Sequence, residues 1–495
     1  MLQKDEILQF IDTDKASEKK KFARVGQRYY EGNHDIKDYE LYYYNADGEL
    51  VKDKTRSNIK ISHPFFTEIV DQSTQYMLSG KDGFVKSDLP ELQTHLDAYF
   101  NENEDFMAEL YEVITGSQSK GFEYMYAYMK EDGTTAFSCA DSLGVVEVEG
   151  RFASDKTDHV IYWYVDRVDK DGKRIKKVQV WDADEVYYYS QIDEGELLDD
   201  TEAEINPRPH IVKVNDKGQK LNGGGYGTIP FFRLDNCKKQ FSDLKPIKPL
   251  IDDYDLMACG LSNNIQDASE YLVVVKGFQG DNIEELMQNV KTKKHIGVDG
   301  DDGGDVEYKT VDIPYQARQA KLELDEKNIY RFGMGFNSAQ MGDGNITNIV
   351  IKSRYALLDM KCTKLEIRLK QFLRKILKVV IVEINDKNGT DYQMKDVYFN
   401  FKREVMTNAQ DNATIEYTEA QTKQILVNTL LAIAQQLGDE LLMQNLCDVL
   451  DIDYEQIKGK LPVPEEQDTL TAQDALNGVV TDEQTTETSA TITTE

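Results

Sequence analysis

The feature that most constrains this chain is the run "NIVIKSRYALLDMKCTKLEIRLKQFLRKILKVVIVEI", residues 348–384. Ile351, Tyr355, Leu358, Cys362, Leu365, Leu369, Phe372, Ile376 and Val379 recur at alternating steps of four and three, a heptad-like seam. Neither glycine nor proline interrupts it, so the run predicts one helix roughly 55 Å long at the usual rise. A seam of that length exceeds what one small domain covers, which predicts that neighbouring copies of the chain share it. Nine Lys or Arg lie between Lys352 and Lys378, against Asp359 and Glu366. Such a helix either packs near acidic neighbours, the reading taken here, or turns a basic stripe to nucleic acid.

Directly before it stands "MGFNSAQMGDGNITN", residues 334–348. Glycine and asparagine cannot hold a helix here, and Asp343 is the one ionised side chain. A helix is also predicted on the other side, over "IPYQARQAKLELDEKNIYRF", with Pro314 in its first turn. The loop therefore projects from the end of a helical hairpin. It is either a plain connection or a part that moves against something.

The rest of the chain mixes helix and strand. Residues 1–30 read as charged helix. "FTEIVDQSTQYMLSG" places Phe66, Ile69 or Val70, Ser73 and Met77 on one face and stops at Gly80. Helices follow near Leu89–Phe100 and from Phe106 to about Ser117. The period then changes to two, with hairpin turns at Asp132-Gly133 and Asp171-Gly172. The abundant tyrosines suit an antiparallel sheet with one wet face. Residues 191–228 are polar and glycine-rich and read as a long loop. A helix follows with the stripe Leu250, Tyr254, Met257, Leu261, Ile265, Ala268 and Leu272. "YLVVVKGF", "DNIEELMQNVKTKK", "HIGVD" and "VEYKTVD" make a small strand–helix–strand–strand unit. "VYFNFKREV" is a last strand, and residues 410–460 are helical. The tail after Pro464 has no Lys or Arg, is rich in Thr, Glu and Asp, and is predicted to be disordered.

Charge excludes one class of function. The 495 residues carry 58 bases and 89 acids, net -31. A protein that grips DNA displaces counterions with net basic surface; this chain would repel a phosphate backbone and could only let it pass. The five cysteines are scattered, with no CxxC, and are predicted to be reduced thiols. No signal peptide or run of about 18 apolar residues is present, so no membrane partner is expected.

Motifs of chemistry are weak. "DGDDGGD" at 299–305 has Gly303 and Thr310 where a calcium loop needs ligands, so it reads as a turn. "NGGGYG" at 222–227 lacks a GK[ST] ending and is followed by Pro230 rather than a helix. The six histidines are isolated, with no HExxH, and no GxSxG occurs. No metal, cofactor or catalytic residue is expected.

The order of elements resembles the portal proteins of tailed bacteriophages, of the long, non-contractile-tailed kind. The resemblance rests on "HPFFTEIVDQSTQYMLSGK" at 63–81, "GFEYMYAYMKEDGTTAF" at 121–137 and "GTIPFFRLDNCKKQFSDLKPIKPLIDDYD" at 227–255. It continues in "DIPYQARQAKLELDEKNIYRFGMGFN" and "GNITNIVIKSRYALLDMKCTKLE". These are collinear over roughly residues 55–385. Cys237 stands where the family often has a second Asn, and "DSLGVVEV" lacks the family's usual Pro. The resemblance implies an α+β portal fold assembled as a ring of about twelve copies at one capsid vertex. It divides the chain into a wing (1–245), stem helices (246–269 and 313–333) and a small α/β clip between them (270–312). A tunnel loop, long helix and wing strand (334–404), a helical crown (405–463) and the acidic tail (464–495) complete it.

By the same resemblance, the DNA-tunnel loop comprises Asn337, Ser338, Gln340, Met341, Gly342, Asp343, Gly344, Asn345, Thr347 and Asn348. Stem positions are Asp252, Asp253, Tyr254, Glu323 and Lys327; clip positions are Asp281, Glu284, Glu285, Lys291, Lys293 and Lys294. The implied partners are double-stranded DNA, a terminase or packaging ATPase, major capsid and scaffolding proteins, and head–tail adaptors. The implied location is the virion, after assembly in a host cytoplasm. Two rival readings are a structural adaptor without a channel, indicated by a non-ring assembly, and an enzyme with an unrecognised carboxylate site, indicated by metal-dependent activity.

Overall fold

The long run folds as one helix, Asn348–Asn388, of 41 residues. Leu358, Cys362, Leu365, Leu369, Phe372, Ile376 and Val379 are buried along it, as the heptad spacing predicts. The chain covers that seam by itself. Helices Phe65–Met77, Pro90–Leu96 and Glu104–Lys120 supply Met77, Leu96, Phe106 and Leu110 to the same core, and strand Phe231–Asp235 supplies Phe232. The expectation that neighbouring copies share the seam is thereby corrected from Leu358 to Val379. Periodicity reports that a face is buried, not which residues bury it.

The computed structural model describes residues 2–45, 47–54, 56–130, 133–150, 157–214, 220–267, 272–276, 305–309, 314–337, 348–404, 409–434, 438–450, 452 and 454. Contacts divide the chain into two units, Met1–Met406 and Thr407–Glu495. In the first unit helices alternate with antiparallel sheets, an α+β architecture. Phe122–Met129 is the central strand of a three-stranded sheet, between Thr135–Ala140 and Phe231–Asp235. A second sheet is a meander of Val145–Glu149, Thr157–Val168, Arg174–Trp181, Glu185–Ile192 and Leu198–Asp199. Its inner face, with Val146, Ile161 and Val180, packs on Ile7 and Ile11 of helix Lys4–Ala16.

Helix Glu18–Tyr30 follows after a break at Ser17, whose hydroxyl accepts from the Lys20 amide. Lys20 is buried and ties this helix to the sheet. Its ammonium pairs with Asp14 at 2.9 Å and donates to the carbonyls of Val145, at 2.8 Å, and Ser142. The region 191–228 is not the loop the sequence suggested. Leu198–Asp199 and Arg208–Pro209 both pair with Glu185–Ile192, and Ile211–Val214 pairs with Lys220–Gly224. These short edge strands are held by backbone hydrogen bonds, so they leave no apolar alternation to read.

An extended strap, residues 57–63, lies along helix Lys248–Asp267. The backbone N–H of His63 donates to Asp255 at 2.9 Å and that of Ile61 to the Cys259 sulfur at 3.2 Å. Those of Ile59 and Ser57 donate to Asn263 at 2.7 Å and Asp267 at 3.2 Å. Every second strap residue thus meets every fourth helix residue. The register works because two extended residues span about 6.6 Å and four helical ones about 6 Å. At the inner end Asp255 is fully buried and also accepts from His34 Nδ1 at 2.6 Å and His63 Nδ1 at 2.7 Å. The buried face of this helix is therefore Ile251, Asp255 and Cys259, not the predicted stripe through Met257 and Ile265. Ile265 is 55% exposed. The stripe was misplaced because polar side chains face inward here to satisfy the strap's backbone.

Strands Leu272–Lys276 and Asp305–Lys309 form where "YLVVVKGF" and "VEYKTVD" are predicted as strands, and they pair antiparallel with each other. The predicted helix and strand between them lie outside the described residues. In the second unit, helices Ala409–Ala432 and Asp439–Val449 bear out the helical reading of 410–460 over those spans, and Cys447 is buried. The tail 464–495 is outside the described residues.

Asp255→Ala is expected to lower stability by about 3 kcal/mol, because it leaves two imidazoles and a backbone amide without their acceptor; urea unfolding measures it. Burial pushes the Asp255 carboxyl up, but hydrogen bonds from His34 and His63 outweigh it and hold the group below its ordinary 3.8. A depressed carboxyl stabilises the fold above its unfolded pKa and loses that contribution as pH falls through the folded one. Acid unfolding followed from pH 5 downward should therefore lose a component in Asp255→Asn.

Candidate functional site

The helices Lys248–Asp267 and Tyr315–Gly333 pack side by side. Lys321 bridges them, meeting Asp253 at 2.5 Å and Asp325 one turn along its own helix. Asp325 is almost fully buried, so the cation is fixed between two carboxylates. At the start of the first helix, Lys248 meets Asp35 at 2.6 Å and Asp252 at 2.7 Å. Asp252 also accepts from the Tyr29 hydroxyl, and Tyr29 stacks on His34, with ring centroids 4.5 Å apart. The base of the pair is thus tied to residues 29–35 by charge-assisted hydrogen bonds.

The second helix ends at Met334 in the left-handed region, φ 56°, with Gly335 N–H donating to Tyr330 O at 2.9 Å. Gly333 and Gly335 then pass so close to Ile69 that a Cβ on either would sit 2.7 or 2.8 Å from its side chain. Gln72 clamps the chain next. Its amide accepts from Phe336 N–H at 2.9 Å and donates to Phe336 O at 2.8 Å, as a neighbouring strand would. The Phe336 ring stacks on Tyr355 of the long helix, centroids 4.7 Å apart. The chain entering the loop is therefore stacked on the long helix that follows it, and Asn337 is held by Glu326 at 2.8 Å.

Among the predicted site residues, Asp252, Asp253 and Tyr254 lie together near the base of the helix pair. Tyr254 packs edge-on to Phe65 and His63, at 4.8 and 4.9 Å. Glu323 and Lys327 are exposed on the second helix, and Glu323 accepts from Gln319 at 3.0 Å. Asn337 stands at the loop's first foot, and Asn348 is the first residue of the long helix. Ser338, Gln340, Met341, Gly342, Asp343, Gly344, Asn345 and Thr347 lie outside the described residues. So do Asp281, Glu284, Glu285, Lys291, Lys293 and Lys294.

Sequence reasoning missed Gln72 and Phe336 as the loop's anchor, and His34, His63 and Asp255 as a cluster. The partners are far apart in the chain, and nothing in the local pattern links one to another. The aromatic at 336 inside a Gly/Asn-rich stretch was the one available signal.

A cleft of about 860 Å³ on the meander is lined by Tyr128, Tyr164, Lys177, Tyr188, Glu202 and Arg208. Lys177 there pairs with Asp200 at 2.8 Å and Glu202 at 2.6 Å, and Arg167 also meets Glu202 at 2.6 Å. Lys177, Asp200 and Glu202 are thus spent on one another. Among the described residues no group of three or more His, Cys, Asp or Glu is placed to hold a metal, and no helix is long and apolar enough to cross a membrane.

Comparison with known proteins gives concordant results. The model of the family "Phage portal protein, SPP1 Gp6-like" matches residues 9–453. The portal protein of Bacillus phage SPP1 is 29% identical over 355 residues, 70% of this chain and 67% of that protein. The portal protein of Clostridium phage phiCD119 is 22% identical over 400 residues, 76% of this chain and 83% of that protein. A helix pair turning through a clamped loop into a single long helix lies within a family match spanning nearly the whole chain, and the chain belongs to the phage portal protein family.

Proposed function

We propose that the chain does the work of its family, conducting packaged DNA through a portal, as one subunit of a closed ring of about twelve copies at a capsid vertex. Double-stranded DNA passes through the ring during packaging, is retained behind it and leaves by it. The helix pair forms the stem, with Asp252, Asp253, Tyr254, Glu323 and Lys327 on it. Residues 270–312 form the clip, which meets the packaging ATPase and later the head–tail adaptors. Residues 1–245 form the wing, and 405–463 the crown. The ring contacts major capsid and scaffolding proteins and assembles in the host cytoplasm.

The observation that carries this reading is the mounting of residues 338–347. The chain entering them is held by the Gln72–Phe336 clamp and by the Phe336–Tyr355 stack on the 41-residue helix that follows them. That is a rigid mount for a segment whose composition is weakly polar and glycine-rich. DNA moving through a channel must not be gripped, since each phosphate contact adds salt-dependent affinity. A segment with Asp343 as its single ionised residue gives little attraction.

Alanine at Met341, Asp343 and Asn345 should leave subunit assembly unchanged and alter the amount of DNA packaged or retained, read as DNA mass per particle. Unchanged packaging in every loop variant would remove the loop from the DNA path. Gln72→Ala should free the Phe336 amide and carbonyl and speed hydrogen exchange near residues 333–337, with a local cost of about 1–3 kcal/mol.

A further inference from the structure

The face of the long helix opposite its buried seam carries a row of bases. Lys364, Arg368, Arg374, Lys375 and Lys378 lie along it at near-heptad spacing. Three other cations of this helix are neutralised within the chain: Lys361 by Asp243 at 2.9 Å, Lys370 by Glu366 at 2.7 Å and Lys387 by Glu383 at 2.6 Å. Arg403 takes up Asp359 at 2.6 Å and also Glu366. The five along the outer face form no ion pair among the described residues. Leu357, Met360, Ile367 and Val382 continue the same face, and Met360 and Ile367 are each 60% exposed.

We propose that this stripe docks on the acidic surface of a second copy of the chain. The inference rests on the ring proposed above. Charge favours an anionic partner, and each copy is one, with net charge -31. DNA is anionic too, but the interleaved apolar side chains decide between them. A phosphate backbone offers Met360 and Ile367 nothing to bury against, whereas a protein interface combines an apolar centre with charged groups at its rim. Five unpaired cations facing the channel would also hold the duplex that the ring must pass.

The stripe from residue 357 to 382 is roughly 38 Å long. At the ~10 Å width of a helix it offers about half of the ~800 Å² per partner of a standard interface. It is therefore one part of the contact between copies, the part that makes assembly sensitive to salt.

The test compares the full-length chain with Lys364→Glu/Arg374→Glu/Lys378→Glu and with the corresponding triple Gln variant. Sedimentation velocity across concentration and sodium chloride gives assembly, circular dichroism confirms folding, and retention of a linear duplex gives DNA contact. The wild type is expected to assemble and to weaken with salt. The Gln variant should need about tenfold more protein to assemble, and the Glu variant more still, with little salt dependence left in the Gln variant. If a folded Glu variant forms rings at the wild-type concentration and salt dependence, the interface is overturned and the ring stands. A change in duplex retention with assembly unaltered would assign the stripe to DNA instead. A wild type that stays monomeric in every condition overturns ring and interface together.

Discussion

The strap along helix Lys248–Asp267 is the interaction on which the rest of this structure depends. An extended segment has its N–H groups unpaired on both sides and must find acceptors when it is buried. Here a helix supplies them with side chains at 255, 259, 263 and 267. The same carboxylate at 255 gathers His34 and His63. Through it the helix pair is fixed to the body of the chain before the second helix returns to the loop. The chain entering the loop is then held against the long helix by the Phe336–Tyr355 stack.

A fold made this way is only partly written as hydrophobic period. The seam from Leu358 to Val379 was legible because each buried residue there is apolar and evenly spaced. The helix Phe65–Met77 was legible for the same reason, down to the burial of Ser73 among apolar neighbours. Helix Lys248–Asp267 was legible as a helix but not as to its inward face, because Asp255 and Cys259 face inward while Ile265 faces out. The edge strands at 198–224 left no trace, since their pairing is a matter of backbone hydrogen bonds. The loop's anchor was invisible for another reason: Gln72 and Phe336 are separated by 264 residues.

Charge is the second organising theme. The chain is strongly acidic, which suits a conduit that must not bind what passes through it. Some of its bases form internal pairs, such as Lys20–Asp14, Lys321–Asp253 and Arg403–Asp359. On the longest helix, five cations without an ion pair among the described residues stand in one line. It points to the place where a chain that repels itself can be persuaded to join another copy.

The central claim is that this chain works as a ring around DNA. Electron microscopy of the purified full-length chain, viewed end-on, tests it most directly. The account predicts a closed ring of about a dozen subunits with a central opening wider than a B-form duplex. Monomers or closed dimers at every concentration, or a ring whose centre is filled by ordered protein, would contradict it.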